Sequence, residues 1–336
     1  MHLRKGLVGY FQLLRIQTAA ATALTPVIGA LVMGQFNLSI LFILFIIGFF
    51  YHVFGFVFNE YIDIKVDKKS VDLEKKPLIS GAISRQRALF IAAVSGFFTC
   101  FLTIYFFFSL LPILFLIISL SFGGIYDFFG KKIPGLDFAL GLGFFFLCLM
   151  GASTFSSNFT SLTYLVCLIY FIHISFNNSV EGGLKDVDHD YLAGAKTLAT
   201  IMGVSVQNMR LKVTKKFLAF SYILKFIFVL LIILLFLEPQ INLLNFEKNT
   251  VQLILVVFFV IVVFFTMYNF LNISVFDRSK LKKLFSLHEM SSFFLLVICL
   301  SPLIDLWSTL TLIFLPFIWY ILTNFILYGK FLQPQV

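Results

Sequence analysis

Charge is what this sequence has least of. Only 12% of its 336 residues are Asp, Glu, Lys or Arg, where a typical soluble domain has about 25%, and 60% are hydrophobic. So little polar surface cannot cover a water-exposed body of this mass. A soluble globular protein, a disordered chain and a sequence-reading nucleic-acid-binding domain are excluded together, since each needs a polar exterior. Cysteine is also scarce: Cys100, Cys148, Cys167 and Cys299 stand singly inside apolar runs with no CxxC pair. That argues against a disulfide scaffold and against zinc or iron–sulfur ligation. The five histidines form no HxxH, HExxH or Cys/His set, and His52, inside an apolar run, is expected to pack or bond to a neighbour. Strict alternation is missing as well. An unbroken stretch such as Leu230 to Leu237 would put hydrophobes into the polar lumen of a β-barrel.

Long apolar runs are abundant instead. Phe alone supplies 47 residues, and the mean hydropathy is +1.01. A helix needs roughly 20 residues to cross the hydrocarbon. Ten stretches approximate this, near 10–32, 38–60, 88–108, 110–126, 136–156, 161–180, 217–237, 250–271, 290–305 and 308–328. The first contains Arg15 and lacks a cleavage site, so it reads as a span rather than a removable signal. Basic residues test the segmentation. The connections after spans two, four, six and eight, together with the terminal regions, hold 23 of the 25 Lys and Arg, all but Lys225 and Lys248, when Arg15 near the start of the first stretch is counted with the N-terminal region. By the positive-inside rule that face is cytoplasmic, and the net charge of +9 reflects topology rather than nucleic-acid binding.

Acidic residues are concentrated on the same face. Nine of the 16 fall in residues 60–74 and 181–190: Glu60, Asp63, Asp67, Asp72, Glu74, Glu181, Asp186, Asp188 and Asp190. Asn59, Asp63 and Asp67 are spaced i, i+4, i+8, which on a helix projects an amide and two carboxylates from nearly one side. Asp186 and Asp190 repeat the pairing. Like charges one turn apart repel unless a cation lies between them, and hard oxygen ligands select magnesium or calcium. An even number of spans separates the clusters, so they emerge on one side and can meet across one cavity. Two paired-carboxylate motifs facing each other suit two magnesium ions bridging a diphosphate. Basic partners follow in sequence: Lys75, Lys76, Arg85, Arg87, Lys131, Lys132 and Lys196.

Taken in order, these residues resemble the UbiA superfamily of intramembrane prenyltransferases. Asn59-Glu60-x-x-Asp63-x-x-x-Asp67 is similar to its first motif, and Asp186-x-x-x-Asp190 followed by Gly194-Ala195-Lys196-Thr197 to its second. The PLISG segment Pro77 to Gly81, the stretch Tyr126 through Lys131, and Leu14-Arg15 with Pro26 and Gly29 also fit. Lys76 departs from the Arg usual before that proline, and Glu181 is the nearest counterpart of a further acidic residue upstream of the second motif.

The resemblance implies an all-α integral membrane protein, a bundle of nine to ten transmembrane helices around a central cavity. Residues 1–336 would form one prenyltransferase domain, with connections 61–87 and 181–216 carrying the Asp-rich motifs. It implies magnesium-dependent transfer of an isoprenyl chain from a polyprenyl diphosphate to an aromatic or lipid-type acceptor that is hydrophobic or membrane-associated. The expected site has Asp63, Asp67, Asp186 and Asp190 as catalytic residues that hold Mg2+ together with Asn59, and Asn59, Tyr126, Lys131, Lys196, Arg15 and Lys76 on the substrate. The expected location is the cell membrane, multi-pass, with the active site toward the cytoplasm. The competing reading is a multispanning ion or phosphorylated-solute transporter that binds its cargo at the acidic clusters. Transport sites belong near the midplane, whereas these clusters sit at one face beside basic residues. A phosphatidyltransferase would need a DG-x2-AR motif, which the chain does not contain.

Overall fold

The computed structural model describes residues 2–68, 73–74, 76–242 and 246–332. With no water inside a bilayer, a continuous apolar run satisfies its own backbone by coiling into a helix, and the described residues form thirteen α-helices, most of them such runs. The helices are α1 (His2–Leu13), α2 (Ile16–Val32), α3 (Leu38–Asp67), α4 (Arg85–Phe106), α5 (Leu110–Phe129), α6 (Asp137–Ser153) and α7 (Ser161–Phe176). There follow α8 (Gly183–Ala193), α9 (Leu198–Ile201), α10 (Lys215–Leu235), α11 (Phe246–Leu271), α12 (Arg278–Leu300) and α13 (Leu306–Tyr328). A π-helical turn, Asn177–Gly182, joins α7 to α8. The one described sheet is a hairpin of β1 (Ser205–Gln207) and β2 (Arg210–Lys212), turned by Asn208 and Met209 with φ of 49° and 59°.

Among the described residues eight helices are long and apolar enough to cross a membrane, nine if the bent pair Leu7–Leu13 and Ile16–Val32 is one span. Each of the ten expected stretches coincides with one of these or with α6, which has 17 residues. Three boundaries move. Helix α3 runs on to Asp67, the helical course from Ser161 continues to Ala193, and α12 starts at Arg278 rather than near 290. Both acidic motifs therefore lie on helix, and Lys131 offsets the repulsion between the paired carboxylates Asp63 and Asp67. The protein is a multi-pass integral membrane protein, and its outward Phe90, Phe97, Phe258 and Phe265 form the lipid-facing surface such a protein needs.

Between helices, lipid supplies no hydrophobic drive, so close packing has to do the work. Helix α2 is buried against α3 and α6 through small residues. A Cβ on Gly29 would overlap the carbonyl of Cys148, and one on Gly151 would overlap the carbonyl of Pro26, so the two backbones touch through both glycines. Because backbone cannot yield as a side-chain tip does, Gly151→Leu is expected to cost more than about 3 kcal/mol. A lowered apparent melting temperature and loss of monodisperse protein in detergent check this.

Candidate active site

The charged ends of α2, α3, α5, α8 and α12 surround a cavity of about 410 Å3. Its floor and walls toward the bundle interior are apolar and aromatic, with Leu120, Leu140 and Phe144 from α5 and α6, and Met290, Phe293 and Phe317 from α12 and α13. Its mouth is charged: Arg15, Lys76, Lys131, Lys185, Arg278 and Lys282 line it with Asp63, Asp67, Asp186 and Asp190.

Lys131 is the meeting point of the two motifs. Its ammonium lies 3.3 Å from Asp63, 3.6 Å from Asp67 and 4.0 Å from Asp190. Burial opposes that charge, yet Asp63, Asp67, Asp190 and Asp186 outweigh it and hold the lysine above its ordinary value. The stretch after the second motif fixes this lysine's backbone. Gly194, at φ 71°, ends α8, and the amide of Lys196 donates to the carbonyl of Lys131 at 2.9 Å. The Lys196 side chain itself is exposed and does not line the cavity.

A second ionic group anchors the first motif. Lys76 donates to Glu60 at 2.9 and 3.0 Å and to Asp67 at 2.8 Å, and Arg15 pairs with Glu60 from the other side. Burial works against the Lys76 ammonium, but Glu60 and Asp67 raise it above the usual lysine value. Arg15 occupies the break between α1 and α2 with φ 44° and ψ 45°, a conformation rare outside glycine, and so directs its guanidinium into the cavity. His52 holds the break through hydrogen bonds to the carbonyls of Leu14 and Arg15 and to Thr22, the local bonding expected of it.

Asn59 donates to Asp127 at 3.1 Å, and Asn178 donates to Asp137 at 2.8 Å and bonds Tyr126. Sequence reasoning gave Asp127, Asp137, Asn178, Lys185, Arg278 and Lys282 no role, although Asp127 sits inside the Tyr126-to-Lys131 stretch. Lys185 lies 3.5 Å from Asp186, whose side chain is 39% exposed. Asp188 does not line the cavity itself but pairs with Arg278, which does, at 2.7 and 2.8 Å. Of the other expected basic partners, Arg85 stacks over Tyr61 and Lys132 over Phe129, while Asp72 and Lys75 lie outside the described residues.

Among the described residues no three acidic, histidine or cysteine side chains converge on one metal-sized point. The site still suits a hard divalent cation in its chemistry. An ammonium stands among three carboxylates, and Asp190 keeps one buried oxygen with no hydrogen-bond donor.

Comparison with known proteins identifies the family. Residues 21–285 match the UbiA prenyltransferase family, and the chain belongs to it: the protein is a membrane prenyltransferase. A digeranylgeranylglyceryl phosphate synthase of Saccharolobus solfataricus is 28% identical over 212 residues, 59% of this chain and 70% of that one. A solved structure of a digeranylgeranylglyceryl phosphate synthase shares the fold at a TM-score of 0.59 and 20% identity, covering 92% of this chain and 99% of its own. A UbiA homologue from Archaeoglobus fulgidus bound to GPP and Mg2+ superposes at 0.63 with 16% identity, covering 88% and 99%.

Proposed function

We propose that the protein transfers an isoprenyl chain from a polyprenyl diphosphate to a lipid-type acceptor in a magnesium-dependent reaction, releasing diphosphate toward the cytoplasm. The observation that carries this reading is the meeting of Asp63, Asp67 and Asp190 at Lys131, above an apolar cavity, in a chain of this family. The lipid-type acceptor is favoured over an aromatic one by the similarity to the Saccharolobus solfataricus synthase, whose name specifies a glyceryl phosphate lipid. Cytoplasmic orientation follows from the placement of the basic residues.

In this mechanism Asp63, Asp67, Asp186 and Asp190, with Asn59, would hold magnesium, which when bound withdraws charge from the diphosphate. Lys131, Lys76 and Arg15 face the same oxygens. Negative charge grows on diphosphate as its bond to the allylic carbon weakens, so cations fixed beforehand bind the transition state more tightly than the ground state. The apolar walls take the isoprenoid and keep water from the carbocation.

The test is release of diphosphate from geranylgeranyl diphosphate by protein in liposomes, set beside ion flux in the same vesicles. Diphosphate release that EDTA stops and magnesium restores is the expected result; flux without release would favour a transporter. Replacing Lys131 by Ala removes a charge-assisted contact of about 1.5–3 kcal/mol, so donor efficiency should fall roughly 10- to 150-fold with acceptor KM little changed. Steady-state kinetics in both substrates check it.

A further inference from the structure

One cation belongs to neither the charged mouth nor a loop. Lys225 lies ten residues into α10, about 15 Å along the helix axis from Lys215, and is fully buried. Its ammonium is 3.9 Å from the ring centre of Phe176, 4.7 Å from that of Phe228 and 3.4 Å from Ser292 Oγ. An ammonium at that depth needs a counter-charge. The acidic residues nearest in charge are Glu181, on the π-helical turn, and Glu289, on α12, which both line the adjoining cavity.

Both carboxyls line the cavity, while Lys225 stands behind its wall. Glu181 is 2% exposed, and among the described residues no fixed donor reaches either of its oxygens. The nearest, His288 Nε2, is 3.9 Å away, and that ring is committed through Nδ1 to Thr266 and the Val263 carbonyl. Carboxyl oxygens in a dry wall without donors leave a demand for O–H or N–H from whatever fills the cavity. Glu181 precedes Asp186 by five residues on one helical course, so it lies about 7 Å deeper than the diphosphate end.

We infer that Glu181 and Glu289, positioned by Lys225, receive the hydroxyl of an alcohol acceptor and take its proton as the ether bond forms. The inference rests on the proposed prenyl transfer. The acceptor oxygen forms its bond to the allylic carbon, and the carbon–oxygen bond to diphosphate breaks, its electron pair leaving with diphosphate. The acceptor's O–H proton passes to the ionised oxygen of the carboxyl pair, which releases it to water as the products depart. The positive charge of Lys225 favours the ionised form of the pair, and Lys225 is a positioning residue.

The test uses full-length protein in nanodiscs with geranylgeranyl diphosphate as donor and geranylgeranylglyceryl phosphate as the alcohol probe. Glu289→Gln and Glu181→Gln should each lower kcat by about 10²- to 10⁴-fold, the usual worth of a general base. Affinity for geranyl thiolodiphosphate, a donor analogue that does not ionise, should stay at the wild-type value and reports intact folding. Replacing a whole buried ionic group by uncharged side chains is tolerated better than removing one partner, so the Lys225→Met/Glu181→Gln/Glu289→Gln triple variant should melt above Lys225→Met alone, while both lose kcat. A readout independent of turnover is the infrared carboxyl band. Adding the alcohol without donor should perturb it in the wild type and not in the Glu181→Gln/Glu289→Gln double variant. Wild-type kcat in both single variants, or the same infrared response in the double variant, would overturn the inference. A wild type that binds the analogue but releases no diphosphate would overturn the proposed function instead, and the infrared comparison would still decide this point.

Discussion

Asp63→Asn should abolish prenyl transfer to within assay noise, a loss of at least about 10³-fold, or roughly 4 kcal/mol of transition-state stabilisation. The amide keeps the shape of the carboxylate but removes the charge that would bind a divalent ion and that now faces Lys131 at 3.3 Å. Asp67→Asn, Asp186→Asn and Asp190→Asn should behave alike, because the two i, i+4 pairs line one cavity mouth. Asp188→Asn is the matched control. Its carboxylate does not line the cavity and is spent on Arg278, so its effect on turnover should be smaller. Folding should survive in all of them, since the isosteric amide keeps the shape of the carboxylate and can still accept a hydrogen bond from the cation it faces. Diphosphate release and thermal unfolding, measured on the same preparations, separate these effects. Wild-type, magnesium-dependent transfer by both Asp63→Asn and Asp186→Asn would refute the site.

The architecture was legible because lipid is a demanding solvent. Each span announces itself as an apolar run, and the basic residues mark one face. Helix ends were harder to read, since α3 and the course from α7 through α8 continue as helix after their residues turn polar. In both places the paired carboxylates lie at helical spacing, so the motif periodicity, rather than hydropathy, marks the true boundary. At the site, the Asp pairs and Lys131 follow from spacing and order alone. Lys196 does not reach the cavity, because its backbone rather than its ammonium contacts the Lys131 stretch. Lys185, Arg278 and Lys282 escaped notice since a basic residue at this face is already explained by topology. Lys225 was visible as an exception to the charge rule. Its partners were not, because Glu289 is distant in sequence and Glu181 looks like part of the neighbouring motif.

Glu60 stands inside the first motif, yet its role is structural, and its loss should be the most damaging to stability of the changes at the cavity mouth. It is 7% exposed and accepts from Arg15 on one side and Lys76 on the other, so one carboxylate holds two cations. Glu60→Ala leaves both in a poorly hydrated place, Lys76 with Asp67 alone, and breaking a buried pair in this way costs about 3–5 kcal/mol. The damage should spread along the chain. Arg15 sits in left-handed backbone at the break between α1 and α2, and without Glu60 the His52 hydrogen bonds are left to hold that conformation while the guanidinium loses its ion pair. A sharply lower apparent melting temperature in detergent is expected, with residual transfer reduced because Lys76 is free to draw Asp67 out of place. Adding Lys76→Met to Glu60→Ala should recover part of the loss, since it removes one stranded cation, and the non-additivity would report the coupling directly. A Glu60→Ala protein that melts within the range of an ordinary surface substitution, about 0.5 kcal/mol, would show that the Arg15–Glu60–Lys76 group does not hold the first motif in place.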